Sequence, residues 1–148
     1  MITPIYSMDD RMLAATGTAG KGFYLSSLWS ADLDNAQNKH FVAAFTKAYN
    51  RVPTAYAAQA YDTANLIASG LKAVNGDIAG RPDDFRNALR KADFPSVRGK
   101  FKFGSNQHPI QDWYLLHIEA GPDGKLVYKN MKVLARDHTD VHAADCKM

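Results

Sequence analysis

The sequence predicts an α/β domain with a sheet of mixed strand direction. Two observations carry this. Helical periodicity dominates the first two thirds of the chain, interrupted by two short strand-like runs near its start. The last third then switches to period two around a tight-turn signal, the pattern of an antiparallel meander. Alternation early and a meander late requires both strand directions in one sheet.

Taken in order, residues 2–6 are a short apolar run, the end of a strand that starts without any preceding loop, as though an earlier part were absent. Residues 9–15 read as a short helix with Ser7 as its cap and Asp9 and Asp10 in an acidic first turn. Gly17, Gly20 and Gly22 break the chain. Residues 22–28 follow as a strand whose aromatic and branched residues are too dense for one wet face, so burial on both faces is expected. Residues 36–49 form a helix with Phe41, Val42, Phe45 and Tyr49 on one side, ended by Asn50.

Residues 53–74 are the stretch around which the rest is organised. Pro53 stops the preceding element, Thr54 is a good N-cap, and no further glycine or proline occurs until Gly70. Ala57, Ala60, Tyr61, Ala64, Ile67 and Leu71 recur at helical spacing and predict the buried face. Such a helix spans ~30 Å, the width of a small domain. Pro82 opens another helix, with Asp83 and Asp84 in its first turn and Phe85, Ala88, Leu89 and Ala92 as its stripe. Residues 97–103 then alternate, placing Val97, Gly99, Phe101 and Phe103 inward and Arg98, Lys100 and Lys102 on a wet face. Strands over 112–119 and 125–134 flank the turn Gly121-Pro122-Asp123-Gly124, and an irregular polar tail follows from Ala135.

Composition bounds the function. The 148 residues fit one domain with a real core, and 46% hydrophobic with 22% charged residues is ordinary for a globular chain. The net charge of +3 comes from scattered lysines and arginines, which argues against nucleic acid as partner. No apolar run reaches the length of a membrane span, and ITPIYSMDD has neither the basic start nor the apolar run of a signal peptide. The single cysteine, Cys146, excludes an internal disulfide.

Several constellations have chemical potential. His138, His142 and Cys146 lie four apart, which on a helix would align three metal-ligand types, but no fourth ligand is evident and a frayed tail is the simpler reading. Arg98-Gly-Lys-Phe-Lys-Phe resembles an RNA-recognition signature, yet Lys100 stands where that motif needs an aromatic, so an amphipathic strand is preferred. There is no G-x-S-x-G elbow, and Gly17, Gly20 and Gly22 precede a strand, not the helix a phosphate loop needs. No cofactor motif and no bond-breaking arrangement is present. The chain reads as a binding protein, not an enzyme, with a small α/β enzyme or regulatory domain as the competing class.

Two longer patterns are more specific: F-V-x-x-F-x-x-x-Y followed by P-x-x-Y-A-A-Q-A-Y-D over residues 41–62, and R-G-x-F-x-F-G followed by H-P-I-Q-D-x-Y over residues 98–114. With the Asp-Gly-Lys turn and the D-C-K-M ending, the chain resembles the C-terminal portion of periplasmic solute-binding proteins of the branched-chain amino-acid type, the receptors of ABC importers. The resemblance implies part of a type I periplasmic-binding fold, a three-layer α/β/α arrangement with a mixed sheet, with segments of both lobes within residues 1–148. It implies a small ligand, an amino acid or aromatic carboxylate, bound in an interlobe cleft by hinge closure. It also implies a periplasmic location and a membrane permease as partner for the complete protein. Tyr56, at the start of the central helix, matches a ligand-facing position. The loop over residues 6–9 matches one that supplies polar groups from the second lobe, hence Tyr6 and Asp9, and Gln59 is a further candidate one turn beyond Tyr56.

Physical chemistry agrees with these roles. A tyrosine gives apolar area with a polar tip, N–H groups at a helix start can meet a carboxylate, and Asp9 can pair an ammonium. The resemblance also implies that Cys146 pairs with a cysteine outside this chain in an oxidising compartment. If the chain acts alone, the alternative is a ligand-incompetent fragment that self-associates through apolar surface.

Overall fold

A computed structural model describes residues 1–146. The D-C-K-M ending therefore lies partly outside the described residues. One five-stranded sheet organises the fold. Strand β1 (Ile2–Pro4) pairs in parallel with β2 (Tyr24–Ser27), Ile2 opposite Tyr24. β2 pairs antiparallel with β4 (Pro109–Ala120), Leu25 opposite Leu116. The short β3 (Phe101–Phe103) pairs antiparallel with residues 109–111 of β4, and β5 (Leu126–His138) pairs along nearly all of β4. Because β5 occupies one edge of β4, β2 and β3 share the other, end to end. The sheet is thus mixed in direction, as expected.

Four helices accompany it: α1 (Asp10–Thr16), α2 (Ala36–Tyr49), α3 (Ala55–Ala73) and α4 (Pro82–Lys91). Local chemistry sets their ends. Asn35 Oδ1 accepts from Asn38 N at 2.8 Å and caps α2, and Asn50 ends it in the left-handed region at φ 50°. Thr54 Oγ1 accepts from Ala57 N at 3.1 Å and caps α3, while Pro82 occupies the first turn of α4. Tyr114, Leu116 and Ile118, on one face of β4, join Leu25, Trp29, Phe41, Ala55 and Ala58 in a single buried cluster. Asn38 ties the β2–α2 connection to it, accepting from Trp29 Nε1 at 2.6 Å and donating to the carbonyls of Ser30, Ala31 and Leu33. Among the described residues no helix is long and apolar enough to cross a membrane.

Several expectations need correction. The first apolar run is a strand only to Pro4, and residues 5–7 turn into a 3-10 helix. Asp9, not Ser7, caps α1. β2 is not buried on both faces: Leu25 and Ser27 are, but Tyr24 is exposed. α3 buries Ala55, Ala58, Asp62 and Gly70, while Ala60, Ala64 and Ile67 of the predicted stripe are exposed. The reason is Asp62, a carboxylate that apolar periodicity assigns to solvent but that has buried partners here. Arg98 is likewise not on a wet face. It is buried against Asp62, and the chain before Phe101 is a turn rather than a strand. β5 continues to His138, well past the predicted start of an irregular tail, since β4 offers it a full-length edge. His138 therefore ends a strand and His142 precedes a short 3-10 turn at Ala143–Asp145, so no helix aligns them with Cys146. Cys146 is exposed and free.

Candidate functional site

The site is built from two segments that are remote in sequence. The first is the turn after β1. Ile5 and Met8 are buried on either side of Tyr6, so the turn is anchored and Tyr6 is displayed, 41% exposed. From β5, the Tyr128 hydroxyl donates to the Met8 carbonyl at 2.8 Å and pins the turn to the sheet. Burial pushes the Tyr128 pKa well above its ordinary value, and the charges of Asp10 and Asp9 add to the rise. Asp9 Oδ1 accepts from Arg11 N and Met12 N at 3.0 and 3.1 Å, so this carboxylate holds the start of α1.

The second segment is the start of α3. Buried Pro53 and the Thr54 cap fix its direction, placing Tyr56 within the first turn, 48% exposed, with Gln59 one turn on. The two segments meet directly. Gln59 Nε2 donates to the Tyr6 hydroxyl at 2.5 Å, and the Tyr6 and Tyr56 rings lie 5.5 Å apart at 45°. This is ordinary geometry for an attractive aromatic pair. Tyr56 and Asp9 also line a common cleft of about 390 Å³ with Asp10, Arg11, Arg51 and Thr54. The four residues expected from the sequence are therefore close together. Tyr6 and Gln59 bond each other beside Tyr56, and Asp9 shares the cleft with Tyr56.

Asp10 and Arg51 escaped the sequence reading. Burial pushes the Asp10 carboxyl above its usual value of 3.8, and the neighbouring Asp9 carboxylate adds to this, while its own backbone N–H and Arg51 oppose it. Arg51 lies in the short link between α2 and α3, its guanidinium 5.7 Å from the centre of the Phe45 ring. The available signal was an arginine two residues before a proline-marked helix start, where a cation sits beside the N–H groups of the first turn. The wall thus offers the Tyr56 ring with Tyr6 packed beside it, two carboxylates on α1 and its cap, and a cation next to the helix N-terminus. Such a surface can hold a small molecule with an apolar body and a charged end. It carries no activated nucleophile, and the described residues contain no group of three or more metal-ligating side chains.

Residues 1–125 match the family described as periplasmic binding protein. No curated protein sequence matches the chain. Among solved structures, the solute-binding protein of an ABC transporter from R. palustris in complex with benzoate is 36% identical with a TM-score of 0.85, the match covering 99% of this chain and 39% of that one. A solute-binding protein of an ABC transporter from Rhodopseudomonas palustris HaA2 in complex with p-hydroxybenzoic acid is 25% identical with a TM-score of 0.82, over 98% of this chain and 39% of that one. An ABC-type branched-chain amino acid transporter from Rhodopseudomonas palustris CGA009 shares the fold at 19% identity and a TM-score of 0.66, over 82% of this chain and 33% of that one. The chain thus spans about a third to two fifths of the length of these relatives. Fold and family match agree, and the chain belongs to the periplasmic binding protein family.

Proposed function

We propose that this chain is part of the solute-binding receptor of an ABC importer, exported to the periplasm and handing a small carboxylate to a membrane permease. The observation that carries this is the meeting of Tyr6 with Tyr56 and Gln59, about fifty positions further along the sequence, beside a cleft with charged walls. In this reading the α3 start and the α1 turn belong to different lobes of the complete protein, and closure brings them onto the ligand. Tyr56 and Tyr6 cover its apolar body, while Gln59 orients the Tyr6 hydroxyl. The α3 N-terminus and Arg51 attract its carboxylate. Asp9 accepts from a hydroxyl or ammonium group. The acidic pair suits an α-amino acid, and the benzoate held by the 36% identical relative makes an aromatic acid the other candidate.

Calorimetric titration of the complete protein with benzoate, 4-hydroxybenzoate and leucine tests the proposal. One of these is expected to bind, and Tyr56→Ala to weaken it by ~1–3 kcal/mol, a typical cost of deleting an interface aromatic. Lys47→Ala, on the exposed side of α2, should leave affinity unchanged. Equal affinities for the two variants would return Tyr56 to a purely structural role.

A further inference from the structure

Beyond Gln59, the same side of α3 borders a second basin, of about 310 Å³. Gln59 and Thr63 stand at its rim, Phe94, Phe101 and Phe103 line its walls, and Arg98 forms part of it, whereas Tyr56 does not. The three rings form a connected set. Phe94 and Phe101 lie 5.5 Å apart, and Phe101 and Phe103 lie 5.1 Å apart edge to face. All three are half-buried and line the basin.

The arginine is held on three sides. Its Nε donates to Asp62 Oδ2 at 2.8 Å, its Nη1 donates to Gln111 Oε1 at 2.8 Å, and its guanidinium stacks 4.3 Å from the centre of the Phe101 ring. The third nitrogen, Nη2, has no hydrogen-bond partner among the described residues. It is not fully enclosed, and Arg98 is part of the basin's lining. A donor fixed in this way loses little freedom when a ligand takes it up. Asp62 already neutralises the guanidinium, so the floor offers a hydrogen bond without net positive charge. An anion would gain little there and would lose its hydration, whereas a neutral oxygen acceptor pays much less on entering.

We propose that this basin is a second small-molecule site, separate from the cleft at Tyr56, that takes a neutral aromatic compound bearing a carbonyl oxygen. The ring packs against Phe94 and Phe103, and the oxygen accepts from Arg98 Nη2. Benzamide is the simplest probe. Titrating the 148-residue chain with it, by saturation-transfer NMR and calorimetry, should show binding that Thr63→Phe weakens about tenfold or more by placing a ring in the basin. Phe103→Leu, which keeps an apolar side chain but loses the stacking face, should weaken it in the same direction and serves if Thr63→Phe does not fold. Benzoate should compete poorly for this site, and Tyr56→Ala should leave benzamide binding in place, whatever becomes of cleft ligands. The proposal is overturned if benzamide does not bind, if folded Thr63→Phe and Phe103→Leu both bind it like the parent, if Tyr56→Ala abolishes it, or if benzoate takes the basin as tightly as benzamide.

Discussion

Arg98 Nε and Asp62 Oδ2 form an ion pair 2.8 Å apart, with side chains only 10% and 1% exposed. The same carboxylate accepts from Ser96 Oγ at 2.6 Å and from Val97 N at 3.0 Å. Asp62 thus gathers the chain after α4 onto α3. Asp62→Ala should cost ~3–5 kcal/mol, because it strands a buried guanidinium as well as removing hydrogen bonds. Asp34→Ala, which breaks only the exposed pair with Lys39, should leave the urea midpoint unchanged. Indistinguishable midpoints for the two variants would show that the buried pair contributes nothing net.

Asp10 predicts a pH dependence with a definite sign. Its pKa is raised in the folded chain above the ordinary 3.8, first by burial and then by Asp9. Between 3.8 and the raised value the folded state holds more protons than the unfolded one, so this group's contribution to stability falls as pH rises through that window. Asp10→Asn removes the cost. The melting temperature of the variant relative to the parent should therefore be more favourable at neutral pH than below 3.8. A difference that stays constant with pH, or runs the other way, contradicts this.

At Gly70 α3 lies tightly against the Phe85 and Leu89 side chains of α4. A Cβ there would lie 2.8 Å from Leu89 Cδ2 and 2.8 Å from Phe85 Cε2. Alanine gains ~1 kcal/mol of helix propensity, but overpacking costs ~1–3 kcal/mol. Gly70→Ala should lower stability by up to ~2 kcal/mol, the balance of those terms. A melting temperature above that of the parent would mean that α4 simply moves aside.

The 148-residue chain on its own should self-associate. An apolar groove of about 620 Å³ runs between α2 and α3, walled by Phe41, Phe45, Tyr49, Ala60 and Tyr61. Tyr49 is 63% exposed beside it and Ile67, farther along α3, 44% exposed. Contiguous apolar surface of this kind favours association. Sedimentation at tens of micromolar should show a dimer or larger species, and a cooperatively melting monomer would count against it.

How far the site was legible depended on the residue. Tyr56 and Gln59 sit where a proline and a threonine announce the start of a long helix, so their position could be read locally. Tyr6 and Asp9 were found through the resemblance of their loop. That Tyr6 bonds Gln59 could not be read, because nothing within a turn of either residue signals the other. Arg51 and Asp10 were missed for the same reason: each acquires meaning only from a charge brought near by folding.

The sequence by itself determined where helices start and stop and where the chain turns. Asn35 and Asn50 bound α2, Thr54 caps α3, Pro82 opens α4, and Gly124, at φ 77°, closes the β4–β5 turn with Gly121 N bonded to the Lys125 carbonyl at 2.7 Å. These outcomes rest on interactions within a few residues, which the local order of side chains specifies completely. Tertiary structure alone decided which face of α3 is buried, that Arg98 turns inward, that β5 runs to His138, and that two tyrosines meet at the cleft. Each of these depends on a partner far along the chain. The energy of burying a carboxylate, a guanidinium or a strand edge changes sign with whether that partner is there.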